Sequence, residues 1–200
     1  MQNNNFLTIL LIGRSGCGKG TQAELLVDFF KKRGEETIYI YTGEHLRELS
    51  EQNNLTGKFI AERIMKQGGL TPTAFAVYSW TKDLIEKFQG KTHLIFDGSP
   101  RTKNEAVIMD EIFEFYGLRD VYPVLIDVSR EEAFKRLKAR ARFDDTDESI
   151  NHRLDYFEKD VAPAIDYYKG ESKNKLRVVD GNPRDIDKIH SDVLKILNPK

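Results

Sequence analysis

The chain has 200 residues, 40% of them hydrophobic, which is enough to bury the core of one compact domain. Its 31 basic side chains nearly cancel 32 acidic ones, leaving a net charge of -1, so no whole-molecule field draws it to nucleic acid or to an anionic membrane. Any anion binding must come from local clusters. The polar, uncharged start and the short apolar run after it predict neither an export signal nor a membrane span. The lone Cys17 can make no internal disulfide and no multi-thiolate zinc site. A soluble protein of a reducing cytoplasm is expected.

Short runs rich in β-branched residues predict buried strands at 6–12, 37–41, 93–96, 124–128 and 176–179. Helical periodicity predicts helices at 21–32, 58–66, 74–88, 105–116, 131–138 and 149–168. Start signals accompany them: Thr71 before Pro72, Ser129 with Glu132, and Asn182 before Pro183. Strands alternating with helices imply an α/β fold, a parallel sheet of five strands covered by helices on both faces. Ligands of such folds sit at the carboxyl ends of the strands, so the turns after Ile12, Tyr41 and Phe96 should hold the chemistry.

Directly after the first strand runs Gly13-Arg14-Ser15-Gly16-Cys17-Gly18-Lys19-Gly20-Thr21, with the G-x-x-x-x-G-K core of a phosphate-binding loop. Its glycines let the backbone aim several N–H groups at one phosphate, and the helix that follows adds its positive dipole end. Lys19 supplies a mobile charge for the outer phosphates. Gly20 stands where Ser or Thr usually ligates magnesium, with Thr21 one residue on. Cys17, in this loop at a helix N-terminus, reads as a small packing filler.

Residues 18–22, Gly-Lys-Gly-Thr-Gln, give the loop the form found in adenylate kinases, and four further segments resemble that family in the same order over nearly the whole chain. Thr42-Gly43 with Leu46-Arg47 resembles T-G-D-x-L-R, and Ile64-Met65 with Gly68, Gly69 and Leu70 resembles the next acceptor stretch. Asp97 to Thr102 resembles D-G-F-P-R-T, and Arg136, Arg140, Arg142, Asp144, Asp145 and Arg153 fall where the lid residues of the family stand. Residues 161–168 and Asp180-Gly181 resemble its closing segments.

The resemblance implies a P-loop nucleoside monophosphate kinase with an acceptor-binding segment near 41–71 and a very short lid near 139–145. It implies ATP + AMP = 2 ADP, with magnesium held through water by Asp97 and with no structural zinc. ATP would contact Gly16, Cys17, Gly18, Lys19, Gly20, Thr21, Arg136 and Arg140. The acceptor would contact Thr42, Arg47, Gly69, Leu70, Thr71, Gly98, Ser99, Arg101, Glu105, Arg142 and Arg153. Lys19, Arg101, Arg140, Arg142 and Arg153 would be catalytic, because phosphoryl transfer needs positioning and charge stabilisation more than covalent help. Asp144 and Asp145 would serve lid closure, Asp145 doubling as a helix cap three residues before Glu148. A monomer binding small nucleotides, with no nucleic-acid or membrane partner, is expected.

Several positions depart from the pattern. Glu105 replaces a Gln that reads adenine, and an ionised Glu only accepts hydrogen bonds. It is therefore either a base contact, which keeps CMP, UMP or GMP open as acceptors, or the capping-box partner of Thr102. Ser99 replaces Phe, Glu44 replaces Asp, Ser15 replaces Pro and Thr71 replaces Val. With only Ala141 between Arg140 and Arg142, the lid should exclude water poorly. A reading of another class, a silent nucleotide sensor, is disfavoured by retention of Lys19, Arg101, Arg142 and Arg153.

Overall fold

The computed structural model describes residues 6–140, 142 and 145–197. Five parallel strands form one sheet: β1 (Thr8–Ile12), β2 (Thr37–Tyr41), β3 (His93–Asp97), β4 (Val121–Asp127) and β5 (Arg177–Asp180), in the order β2-β3-β1-β4-β5. β1 is central and every one of its residues is buried. Its alternate side chains enter opposite cores. Ile9 and Leu11 pack with Leu26, Phe30, Leu137 and Val193, while Leu10 and Ile12 pack with Trp80, Phe96, Phe113 and Tyr168.

Strand β4 begins three residues before the expected start and runs through Pro123. Pro123 pairs only with Leu10 of β1, whereas β5 joins β4 from Val124 onward, so the proline occupies a locally unpaired edge where its missing N–H costs nothing.

The helices are α1 (Lys19–Lys32), α2 (Thr42–Ser50), α3 (Leu55–Phe59), α4 (Thr73–Lys87), α5 (Lys103–Phe115), α6 (Arg130–Arg140), α7 (Asp147–Tyr156), α8 (Ala162–Gly170) and α9 (Ile186–Leu197). Wide, π-helical turns at Ile60–Lys66 and Phe157–Val161 extend α3 and join α7 to α8. The helix expected at 149–168 is thus met by one unbroken helical run from Asp147 to Gly170, widened at Phe157–Val161.

Three start signals were misplaced or partial. Thr71 makes no cap, α4 being entered from Pro72. α9 begins at Ile186, and Asp185 accepts from the Lys188 N–H at 2.9 Å, so Asn182-Pro183 lies in the preceding loop. α7 is capped by Thr146, which accepts from the Ser149 N–H, leaving Asp145 for other partners. Ser129 does cap α6 through the Glu132 N–H at 3.2 Å. α2, absent from the sequence reading, is tied to α4 where His45 Nε2 lies 2.7 Å from Asp83 Oδ2.

Candidate active site

A cleft of about 760 Å³ opens over the carboxyl ends of β1, β2 and β3. That volume falls within the ordinary range of small-molecule sites. The loop after β1 forms its floor. Gly13, Gly16 and Gly18 all have positive φ, and Gly18 enters α1 in the left-handed conformation with no side chain over the helix end. At Gly16 a Cβ would stand 2.8 Å from the Ala133 carbonyl and 2.9 Å from Leu137, so only glycine lets the loop rest on α6. The first N–H groups of α1 thus remain open toward the cleft.

Lys19 Nζ lies over its own loop, donating to the carbonyls of Gly13 at 2.8 Å and Arg14 at 3.0 Å. Cys17 is 1% exposed, its Sγ below the loop against Gly13, as a packing residue would be. Arg136 lies across the loop end, donating to Glu132 at 2.7 Å and to the Gly181 carbonyl at 2.8 Å. Thr21 and Gly20 line the same floor.

Asp97, the last residue of β3, is buried and accepts from the Tyr39 hydroxyl at 2.9 Å. Burial and this carboxylate push the Tyr39 phenol far above its ordinary range, so it remains a donor. A Cβ on Gly20 would stand 3.4 Å from Asp97 Oδ2, which places the carboxylate against the first turn of α1. Among the described residues no three His, Cys, Asp or Glu side chains converge. A divalent ion here would take most of its ligands from phosphates and water, which is how magnesium is usually bound beside a single carboxylate.

Five arginines line the walls: Arg47 from α2, Arg101 after β3, Arg140 at the end of α6, Arg142 in the lid turn and Arg153 from α7. Asp145 gathers two of them. Its oxygens accept from Arg140 at 2.9 and 2.8 Å, from Arg153 at 2.6 Å and from the Arg142 N–H at 3.2 Å. Burial alone would raise the Asp145 pKa, but the bonds and charges of Arg140 and Arg153 outweigh it and hold the carboxyl below its usual value. The Asp145 N–H donates to the Arg142 carbonyl at 2.9 Å. Asp144 lies outside the described residues.

Arg101 is oriented by its Nε–H to the Gly98 carbonyl at 2.7 Å. Gly69 also lines the cleft, near Ile64 and Met65, but Leu70 does not.

Four expected acceptor contacts lie behind the wall instead: Thr42, Thr71, Ser99 and Glu105 are each at most 2% exposed. The Thr42 and Ser99 hydroxyl oxygens lie 2.8 Å apart, so the small Ser99 ties the wall together. Glu105 accepts from the Arg101 N–H at 2.6 Å and from Trp80 Nε1–H at 3.2 Å, while its own N–H is capped by Thr102 at 3.1 Å. Burial raises its pKa despite these donors. Of its two sequence readings, the capping one is half met: Thr102 caps the Glu105 N–H, but the carboxylate accepts from the Arg101 N–H, one residue before the cap, rather than from that of Thr102. Tyr39, Tyr41 and Arg184 line the cleft without having been singled out; strand alternation in 37–41 puts both tyrosines on one face, and that signal was available.

The adenylate kinase family model matches residues 11–173, a span that holds the phosphate loop, Asp97, Arg101 and the arginine cluster. This chain belongs to the adenylate kinase family. It is 32% identical to adenylate kinase 1 of Nostoc over 87% of this chain and 90% of that one. It is 32% identical to the adenylate kinase of Prochlorococcus marinus over 92% and 95%. Against that of Mycolicibacterium paratuberculosis it is 36% identical over 84% and 88%. This adenylate kinase homologue thus matches these relatives across most of their length.

Proposed function

We propose that this chain transfers the terminal phosphoryl group of ATP to AMP, reversibly and with magnesium, giving two ADP, and that Lys19, Arg101, Arg140, Arg142 and Arg153 carry the transfer. The observation that carries the reading is the convergence of five arginines and Lys19 on one cleft floored by an open helix end. Two nucleotides bring several negative charges together, and guanidinium forks grip phosphate oxygens at two points each.

Lys19 would exchange the Gly13 and Arg14 carbonyls for ATP phosphate oxygens, and Arg136 would lie along the donor base. Arg47 and Arg101 would hold the AMP phosphate. Arg140 and Arg153 would leave Asp145 for the transferred group, so Asp145 acts as the anion that keeps them assembled meanwhile. Asp97 fits a water shell around magnesium, which when bound neutralises developing charge on the phosphates. Tyr39 fixes the carboxylate for that purpose. The reaction needs no bond between protein and phosphoryl group; alignment and charge suffice.

With Glu105 spent on Trp80 and Arg101, the acceptor base is read by the cleft wall near Ile64, Met65 and Gly69 rather than by that carboxylate. We further propose that it acts as a monomer on free nucleotides in the cytoplasm; no helix among the described residues is long and apolar enough to cross a membrane. Steady-state diphosphate formation from MgATP with AMP, CMP, UMP and GMP offered separately tests the reading. AMP should be preferred at least tenfold. Preference for another base overturns the acceptor assignment, and ATP binding without turnover of any acceptor overturns the kinase.

A further inference from the structure

Tyr41 ends β2 immediately before the acceptor segment and faces the cleft. Its ring lies on the backbone of Gly43, where a Cβ would stand 2.8 Å from the ring and 3.0 Å from the phenol oxygen. Glycine at 43 is therefore what admits an aromatic side chain at this point. The Arg47 guanidinium sits over the ring, 5.0 Å from its centroid, and Arg142 lines the same cleft. One arginine comes from the acceptor segment and the other follows α6, so cations from both sides of the cleft flank this phenol.

Guanidinium groups gathered from two sides of a cleft are a setting that suits phosphate. A phosphate bound beside Arg47 would stand next to the Tyr41 hydroxyl, which can donate its proton to that new acceptor. Burial favours the neutral phenol, whereas the two arginines favour the phenolate and outweigh it, keeping this hydroxyl a ready proton sharer.

We propose that the Tyr41 hydroxyl, in the cleft beside Arg47, is a further ligand of the acceptor nucleotide's phosphate. The proposal rests on the acceptor-site reading given above.

Tyr41→Phe keeps the ring on Gly43 and under Arg47 and removes only the hydroxyl. Calorimetric titration of the natural protein and Y41F with AMP and with adenosine separates the possibilities. AMP affinity should fall about tenfold, as for loss of one charge-assisted hydrogen bond, with adenosine affinity unchanged. In turnover, KM for AMP should rise by a similar factor with kcat within about twofold, because a ligand gripped equally in ground and transition states affects binding alone. Unchanged or tighter AMP binding in Y41F overturns the proposal, and so does an equal loss for AMP and adenosine, which marks a purely structural role. If the natural protein itself binds AMP no better than adenosine, the acceptor-site reading fails first.

Discussion

Asp145 offers the sharpest test of how the nucleotide-free site is held together. Its side chain has no exposed surface and accepts four hydrogen bonds, two from Arg140, one from Arg153 and one from the Arg142 backbone. Arg140 is 33% exposed, so its pair is largely screened, whereas Arg153 is 12% exposed and loses a buried partner. Weighing the first at the low end and the second nearer the cost of stranding a buried charge, Asp145→Ala should cost about 2 kcal/mol at pH 7. For a chain of this size that is a fall of about 4–8 °C in Tm, measured calorimetrically without nucleotide.

The pH dependence follows from the depressed carboxyl. Its contribution is complete above the unfolded pKa of about 3.9 and disappears as pH falls through the lower folded value, so the gap between the two proteins should close on acidification. Because phosphate oxygens replace the carboxylate, saturating ATP and AMP should narrow the gap as well. Equal melting of the two proteins at pH 7, or a gap that nucleotide leaves untouched, would refute the anion-replacement argument.

Three other outcomes are expected. Arg101→Ala should lower turnover about a thousandfold, comparable to loss of a transition-state arginine, with Tm nearly unchanged; a loss under tenfold in coupled assays removes its role. Glu105→Gln presents an amide nitrogen to one of two donors, Arg101 N–H or Trp80 Nε1–H, and should cost about 1–3 kcal/mol in denaturant melts. Because burial raises the Glu105 pKa, the natural protein binds the proton more tightly than its unfolded chain does. Its stability therefore falls as pH rises through that interval, and the Gln variant should lack this limb; an identical pH profile contradicts the assignment. Only six residues, 141–146, separate α6 from α7, so ATP hydrolysis without acceptor should exceed that of a longer-lidded relative assayed alongside, and equal rates would dispose of the leaky-lid idea.

Local chemistry was legible in the chain itself. Glycines at 13, 16 and 18 between an apolar strand and a helix can make little other than a phosphate cradle, because the backbone needs positive φ at each and the helix end is already open. Five short apolar runs separated by helical periods determined a covered parallel sheet, since side-chain period is a local property, although β2 is only half-buried and β5 is largely exposed. What each polar group does with its hydrogen bonds was decided only by tertiary structure. Glu105 reads equally as cap or base contact until Trp80, 25 residues away, donates to it. Asp145 reads as a cap until Arg153 and Arg140 close on it while Thr146 takes the cap. Tyr41 carries no motif at all, and acquires a role only because β2 delivers it to the cleft beneath Arg47, with Arg142 of a separate segment lining the same cleft. Hydrogen-bond partners distant in sequence are chosen by the packing of whole elements, and no local pattern encodes that choice.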